Sequence, residues 1–334
     1  MNLQLFATLK NYNFKNLPRD IFSGIIIAAV SIPISMGYAQ ISGIPAIYGL
    51  YGSVFPILFF ALFSTSKQFI FGVDAAPAAI VGSALSTLGI AVESPDAMKY
   101  VPMIALFAGL WLLLFYFLHA DRIVDFISTP VMGGFISGIS LTIIFMQIPK
   151  LMGSSAGSGE ILELLIHIFH AVRTISWLSL GMGIGALLLI RIFKKIFPKF
   201  PMAIVIMILG VLATRLFHVD EHGVVLLQAV EPGLPSLVLP QFGGIQLTHV
   251  VGRGLMVAVV IMAETLLAEN NFAFKNGYKL NDRQEILACA AGNIAASAVG
   301  CCPVNGSISR TSMNEQYLSL IHISEPTRLD VISY

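Results

Sequence analysis

Two stretches place ion-binding groups where an apolar chain ordinarily has none. "FIFGVDAAPAAIVGSAL" contains Asp74, and "CCPVNGSISR" contains Ser307, Ser309 and Arg310. In the first, Phe69 to Phe71 favour extended backbone, Gly72 follows, and Asp74 precedes Pro77. Asp is a good helix N-cap, and Pro is tolerated in the first helical turn. A helix is therefore expected to begin near Ala75, after a segment that crosses half the membrane extended. In the second, Pro303 and Gly306 disfavour helix before Ser307, and a helix can run from there. The free N–H groups and positive dipole end of such a helix start attract anions. Arg310, one turn inside the second helix, adds a fixed positive charge. A charge within a membrane is costly and marks function by default. Snorkelling to an interface is the plainer reading, but it is hard for a helix that starts at mid-bilayer.

Two further carboxylates need a role. Glu264, in "VAVVIMAETLLAEN", has no adjacent Lys or Arg. It could carry a proton and so couple transport to a proton gradient, or simply hydrogen-bond a neighbouring helix. Glu269, nearer the end of the same span, reads as a solvated inner-face residue. Asp74 is a cap, a site residue, or both at once.

The elements that must position these groups are membrane helices. The chain has 334 residues, 56% hydrophobic and only 11% charged, against about 25% charged in soluble domains. Runs of about 20 apolar residues recur, each long enough for a ~30 Å hydrocarbon core. This pattern defines an all-α, polytopic membrane protein whose surroundings are a lipid bilayer. Net charge is +1, with no basic block to bind nucleic acid. No cleavable signal peptide is expected, because residues 1–19 hold Lys10, Lys15 and Arg19 without a short apolar core. No enzyme chemistry and no cofactor are expected.

Nine spans are expected, at roughly 20–40, 46–64, 70–90, 101–119, 124–148, 174–193, 201–218, 250–268 and 283–300, with a tenth starting near Gly306. Lys and Arg concentrate at the N-terminus and in every second loop, through Lys67, Arg122, Arg191, Lys194, Lys195, Lys199, Lys275, Lys279 and Arg283. Glu93, Asp96, Asp220, Glu221 and Glu231 fall in the alternate loops. The positive-inside rule then puts the N-terminus in the cytoplasm of a multi-pass plasma-membrane protein. Residues 219–249, with Pro232, Pro235 and Pro240, read as an external linker between two halves.

Other features carry less. Gly134 and Gly138, and Gly181 and Gly185, stand at small-xxx-small spacing, which suits close helix packing. Glu163, His167 and His170 share one face of "EILELLIHIFHAVR". That arrangement fits the wet face of an interfacial helix better than a metal site. Cys289, Cys301 and Cys302 lack ligand spacing and read as small apolar fillers.

Broken helices in corresponding places of two halves point to a transporter binding site. At this point the chain resembles the SulP family of sulfate-permease-type anion transporters. The signature lies in "PAIYGLYGSVFPILFFALFSTSKQ", with Gly49 to Tyr51 and Thr65 to Lys67 at the family's spacing. "SIPISMGYAQISGIP" resembles the family's first span, and "QEILACAAGNIAASAVG…GSISRTSMNEQ" its ninth and tenth. The resemblance covers about residues 17–316.

It implies a uracil-permease-like fold of seven plus seven segments in inverted repeats, with broken helices 3 and 10. A core of segments 1–4 and 8–11 would move, elevator-like, against a gate of segments 5–7 and 12–14. The family's site positions fall on Tyr38, on Asp74, Ala75 and Ala76, and on Ser309 and Arg310. Ser307 opens the second half-helix. Glu264 matches a position where many members keep a carboxylate linked to coupling. The implied function is secondary active transport of an inorganic or small organic anion of the sulfate, bicarbonate or dicarboxylate class. A proton, or sodium, is the coupling ion, and a homodimer is the implied assembly.

Three departures qualify this. Pro33 is followed by Ile34 where many members carry Gln. Asp74 stands where some members have an aromatic or small residue, and a carboxylate there repels an anion unless it is protonated or turned away. That favours proton-linked symport. Finally, "YLSLIHISEPTRLDVISY" does not continue the family pattern, and "LIHISEPTR" resembles a translated sequencing adapter. The expected organisation is a cytoplasmic N-terminus (1–19), a first repeat of spans 1–7 (20–218), the linker (219–249), the start of a second repeat (250–317) and a non-native tail (318–334). About nine and a half of fourteen spans would then be present, with no STAS domain. The alternatives are a non-functional fragment of such a transporter and a nucleobase-type permease of the same fold. The permease would need more hydrogen-bonding side chains on span 8 than Glu264.

Overall fold

A computed structural model describes residues 5–9, 12, 14–124, 129–154, 161–196, 202–226, 233–238, 243 and 246–322. Lys10, Lys199, Glu231, Pro232, Pro240 and the tail beyond His322 lie outside the described residues.

The described residues fold into helices and two short strands. They are α1 (Leu17–Ile41), α2 (Ala46–Gly52), α3 (Phe55–Phe63), then a two-residue strand β1 (Phe71–Gly72), α4 (Ala75–Thr87), α5 (Ala97–Leu118) and a short α6 (Asp121–Val124). Next come α7 (Thr129–Leu151), α8 (Ile161–Arg173), α9 (Trp177–Ile196) and α10 (Met202–Phe217). After the linker follow α11 (Leu247–Lys275), α12 (Asp282–Ala298), β2 (Asn305–Gly306) and α13 (Ile308–His322). Among the described residues four helical stretches are long and apolar enough to cross a membrane: Phe14–Ile41, Ala46–Phe63, Ala97–Leu118 and Leu247–Lys275.

Local chemistry sets the breaks. Asp74 is extended at φ −138°, ψ 169°, and α4 starts at the next residue with Pro77 in its first turn. At 13 residues, α4 is ~20 Å long and falls short of a bilayer core. Helix α13 begins after Ser307, whose carbonyl accepts the Thr311 N–H at 3.0 Å. It continues through 318–322, into the segment expected to be non-native. The expected second span is two helices, because α2 ends at Gly52 and Pro56 opens α3.

The core forms where α5 packs between α11 and α12, and where α12 also meets α3. Val101, Ile104, Ala108 and Leu112 of α5, Val257 and Ile261 of α11, and Ala290 and Ala296 of α12 are all fully buried. Small residues make this approach possible. A Cβ on Gly109 would stand 2.8 Å from Ile294 Cγ1, and one on Gly254 2.7 Å from Phe107 Cβ. The two pairs singled out by spacing do not act this way. Among the described residues nothing lies within 4 Å of a Cβ placed on Gly134, Gly138, Gly181 or Gly185. Spacing marks a face that permits close packing, but only a neighbour at the same height uses it.

Helix α8 meets α9 at a bend of 116°. Leu164 and Ala171 are its buried residues, while Glu163, His167 and His170 are exposed. Glu163 accepts a hydrogen bond from Ser86 at 3.3 Å. Among the described residues no group of three His, Cys, Asp or Glu is arranged to hold a metal.

Glu269 overturns its expectation. It is fully buried, not solvated, because α11 runs on to Lys275 and α12 folds back along it. Its carboxyl faces Glu285, and neither Glu269 oxygen accepts a hydrogen bond from another group among the described residues.

Candidate functional site

The two helix breaks meet. Strand β1 pairs antiparallel with β2, Phe71 opposite Gly306 and Gly72 opposite Asn305. The Ser307 N–H donates to the Ile70 carbonyl at 2.8 Å, and the Ile70 N–H donates to Thr311 Oγ1 at 3.0 Å. Non-helical backbone inside a membrane must be satisfied by protein or by a wet cavity. Here each break supplies partners for the other. The N-termini of α4 and α13 are thereby brought to one place, each preceded by a strand of the same ladder.

The site residues gather around this crossing. Ser307 is buried and donates from Oγ to Asp74 Oδ1 at 3.3 Å. Its hydroxyl also lies 3.4 Å from that of Ser309, which is exposed. Ala75 is partly exposed, whereas Ala76 is buried. What these alanines can offer a ligand is backbone N–H at the first turn of α4. Tyr38, partly buried on α1, feels the charges of Asp74, Arg310 and Glu264 together. The eight residues singled out by sequence therefore lie in one neighbourhood.

Arg310 is fully buried and turned toward the first break. Its Nη2 donates to the Val73 carbonyl at 2.8 Å and lies 4.0 Å from Asp74 Oδ1. Its Nε and Nη1 have no hydrogen-bond partner among the described residues. Room for the guanidinium comes from Gly72, where a Cβ would stand 3.2 Å from Nη1. A buried guanidinium with free donors, beside two helix N-termini, is a concentration of positive field. Asp74 offsets part of it.

Sequence reasoning missed the polar residues that tie Glu264 into this crossing. Asn305 donates from Nδ2 to Glu264 Oε2 at 2.6 Å, and its Oδ1 accepts from Thr265 Oγ1 at 2.6 Å. The Gly306 N–H donates to Thr265 Oγ1 at 3.3 Å. The available signal was a polar residue between Pro303 and Gly306 in an apolar run.

The signature residues outside the crossing have structural work. A Cβ on Gly49 would meet the Ser35 carbonyl oxygen at 2.1 Å, so this Gly lets α2 lie against α1. The Thr65–Lys67 turn is bound to α12 through Glu285. Glu285 accepts from Ser64 Oγ at 2.8 Å, from the Thr65 N–H at 2.6 Å and from Thr65 Oγ1 at 2.5 Å. Lys67 sits over the Tyr278 ring in the α11–α12 connection, 5.4 Å from its centroid. Burial holds the Tyr278 hydroxyl above its ordinary range.

Comparison with known proteins identifies the family and the fold. The model of the sulfate permease family matches residues 17–317. Among curated relatives, Sulfate transporter 2.2 of Arabidopsis thaliana is 29% identical over 320 residues, covering 91% of this chain and 47% of the relative. Low affinity sulfate transporter 3 of Stylosanthes hamata is 31% identical over 334 residues, covering 93% and 51% respectively. The chain spans about half the length of the curated relatives it matches. Among solved structures, the transmembrane domain of the cyanobacterial bicarbonate transporter BicA superposes with a TM-score of 0.78 at 22% identity, over 92% of this chain and 78% of that one. The murine Solute Carrier 26 family member A9 anion transporter, in its inward-facing state, gives 0.82 at 18% identity, over 92% and 55%. The shared fold is the seven-plus-seven inverted repeat.

Proposed function

The chain belongs to the sulfate permease family, and on that premise we propose that it binds a small anion between the N-termini of α4 and α13 and carries it across the membrane. The observation that carries this reading is Arg310, buried beside two converging helix starts, with Nε and Nη1 unpartnered among the described residues. The substrate class is sulfate, bicarbonate or a dicarboxylate. Tyr38, Asp74, Ala75, Ala76, Ser307, Ser309 and Arg310 form the site, and Glu264 couples it to a proton.

Charge balance supports symport. Asp74 stands beside the Arg310 guanidinium, and Glu264 brings a second carboxyl group toward Asp74. An incoming anion adds further negative charge. A proton taken up with it removes one negative charge and lowers the repulsion. The packing supports a reading in which one group of helices moves against another. Helices α1–α5 and α11–α13 form one body through the α5–α11–α12 and α1–α13 contacts, and α7 touches it at α4. An elevator-like shift of that body against α7–α10 would carry the site across. The Lys and Arg distribution supports a cytoplasmic N-terminus in the plasma membrane, and the family supports a homodimer.

The test is equilibrium binding of labelled sulfate, bicarbonate and oxalate to the purified chain in lipid nanodiscs. The reading expects saturable binding of at least one anion, weakened in Arg310→Ala. Equal binding by a folded Arg310→Ala variant would sink the site assignment.

A further inference from the structure

Asn305 stands where the coupling carboxylate, the strand ladder and the start of α13 meet. It is fully buried. Its backbone is opposite Gly72 in β1, and the residues after it are Gly306 and Ser307, which lead into α13. Its side chain joins Glu264 and Thr265 of α11.

These hydrogen bonds run in one direction. A hydroxyl has one proton to give. Thr265 Oγ1 accepts from the Gly306 N–H, and its proton goes to Asn305 Oδ1. The amide stands with Nδ2 toward Glu264 Oε2, as an acceptor carboxylate there requires. Donors therefore run one way, from Gly306 to Thr265, from Asn305 to Glu264, and the line ends on a carboxylate. Such a chain is polarised by its terminal acceptor. While Glu264 is ionised, the last bond is charge-assisted. A proton on Oε1 would leave Oε2 a neutral acceptor without charge assistance, and a proton on Oε2 would set an O–H against the N–H; either way the bond weakens or rearranges. The element that feels this change is β2, whose next residue, Ser307, holds Asp74 at 3.3 Å. The titratable and charged groups around Glu264 are Asp74 on α4 and Tyr38 on α1, with Arg310 on α13 acting on both of these.

We propose that Asn305 is a positioning residue that transmits the protonation of Glu264 to the anion site, through β2 and Ser307. This rests on the proton-linked reading above. It goes beyond that reading by naming the route and by assigning Asn305 and Thr265 a part in it.

The experiment measures binding of labelled sulfate and labelled oxalate to the full chain in nanodiscs over a pH series. Both probes stay dianionic near neutral pH, so a slope belongs to the protein. Wild type is expected to lose about tenfold in affinity per pH unit, one proton bound per anion. Glu264→Gln is expected to bind with no slope. Asn305→Ala is expected to bind at low pH within a few-fold of wild type and to lose most of the slope. Thr265→Val, close in shape, removes the hydroxyl that orients the amide and is expected to flatten the slope partly. It serves if Asn305→Ala does not fold.

A merely structural role for Asn305 would shift the thermal midpoint and leave the slope intact. A folded Asn305→Ala, or Thr265→Val, with the full wild-type slope overturns the inference while leaving the proton-linked reading in place. A wild-type chain that binds neither probe, or binds with no slope, overturns that reading and the inference with it.

Discussion

Gly72 and Arg310 occupy one another's space: a Cβ on Gly72 would stand 3.2 Å from Arg310 Nη1 and 3.7 Å from Nη2. The residue that breaks the first half-helix is thus the one that admits the charge of the second. Its φ of +156° also disfavours any side chain. Gly72→Ala is therefore expected to lower stability by about 1–3 kcal/mol and to weaken anion binding by displacing the guanidinium. Thermal unfolding in detergent and equilibrium binding check the two effects. A variant with unchanged affinity would separate Gly72 from the site.

Glu285 and Glu269 should respond in opposite ways. Glu285 receives Ser64 Oγ, Thr65 Oγ1 and the Thr65 N–H. Glu285→Ala leaves those donors buried without an acceptor, and a hydrogen bond to a charged group contributes about 1.5–3 kcal/mol. A fall of several degrees in the thermal midpoint is expected. Glu269 faces Glu285 without a donor on either oxygen. Glu269→Gln supplies an amide N–H that can donate to Glu285, so the midpoint is expected to hold or rise. A drop in Glu269→Gln comparable to that of Glu285→Ala would contradict this account of the pair.

The small-residue sites divide by what stands opposite them. Gly109→Ala pushes a methyl toward Ile294 Cγ1 at 2.8 Å and the Ala290 carbonyl at 3.0 Å. Overpacking of this kind costs about 1–3 kcal/mol. Gly138→Ala meets nothing within 4 Å among the described residues, and the thermal midpoint is expected to stay near the wild-type value. Equal destabilisation by both would mean that the α7 face is packed against something beyond these helices.

The helix breaks were legible because their chemistry is local. Gly72, Asp74 and Pro77, and Pro303 and Gly306, each act on their own backbone. The pairing of the breaks was not legible. Strands of two residues carry no alternation, so β1 and β2 leave no periodic signal. Glu269 was misread because Asn270 and Asn271 follow it and suggest a wet helix end, whereas its burial depends on α12 folding alongside. The glycines at 134 and 138 show spacing without a partner, and spacing alone cannot supply one. Asn305 escaped notice because its importance comes from Glu264 and Thr265, forty residues earlier in the chain.

The central claim is that an anion is held by the buried guanidinium at the crossing of the two breaks. Its most direct test is the dissociation constant of labelled sulfate and oxalate for Arg310→Gln in nanodiscs, beside wild type. Gln removes the charge and keeps an amide donor within the same pocket, so the fold can be verified by its thermal midpoint. The account predicts at least about a tenfold loss of affinity for the anion that wild type binds. A folded Arg310→Gln chain with wild-type affinity would contradict it.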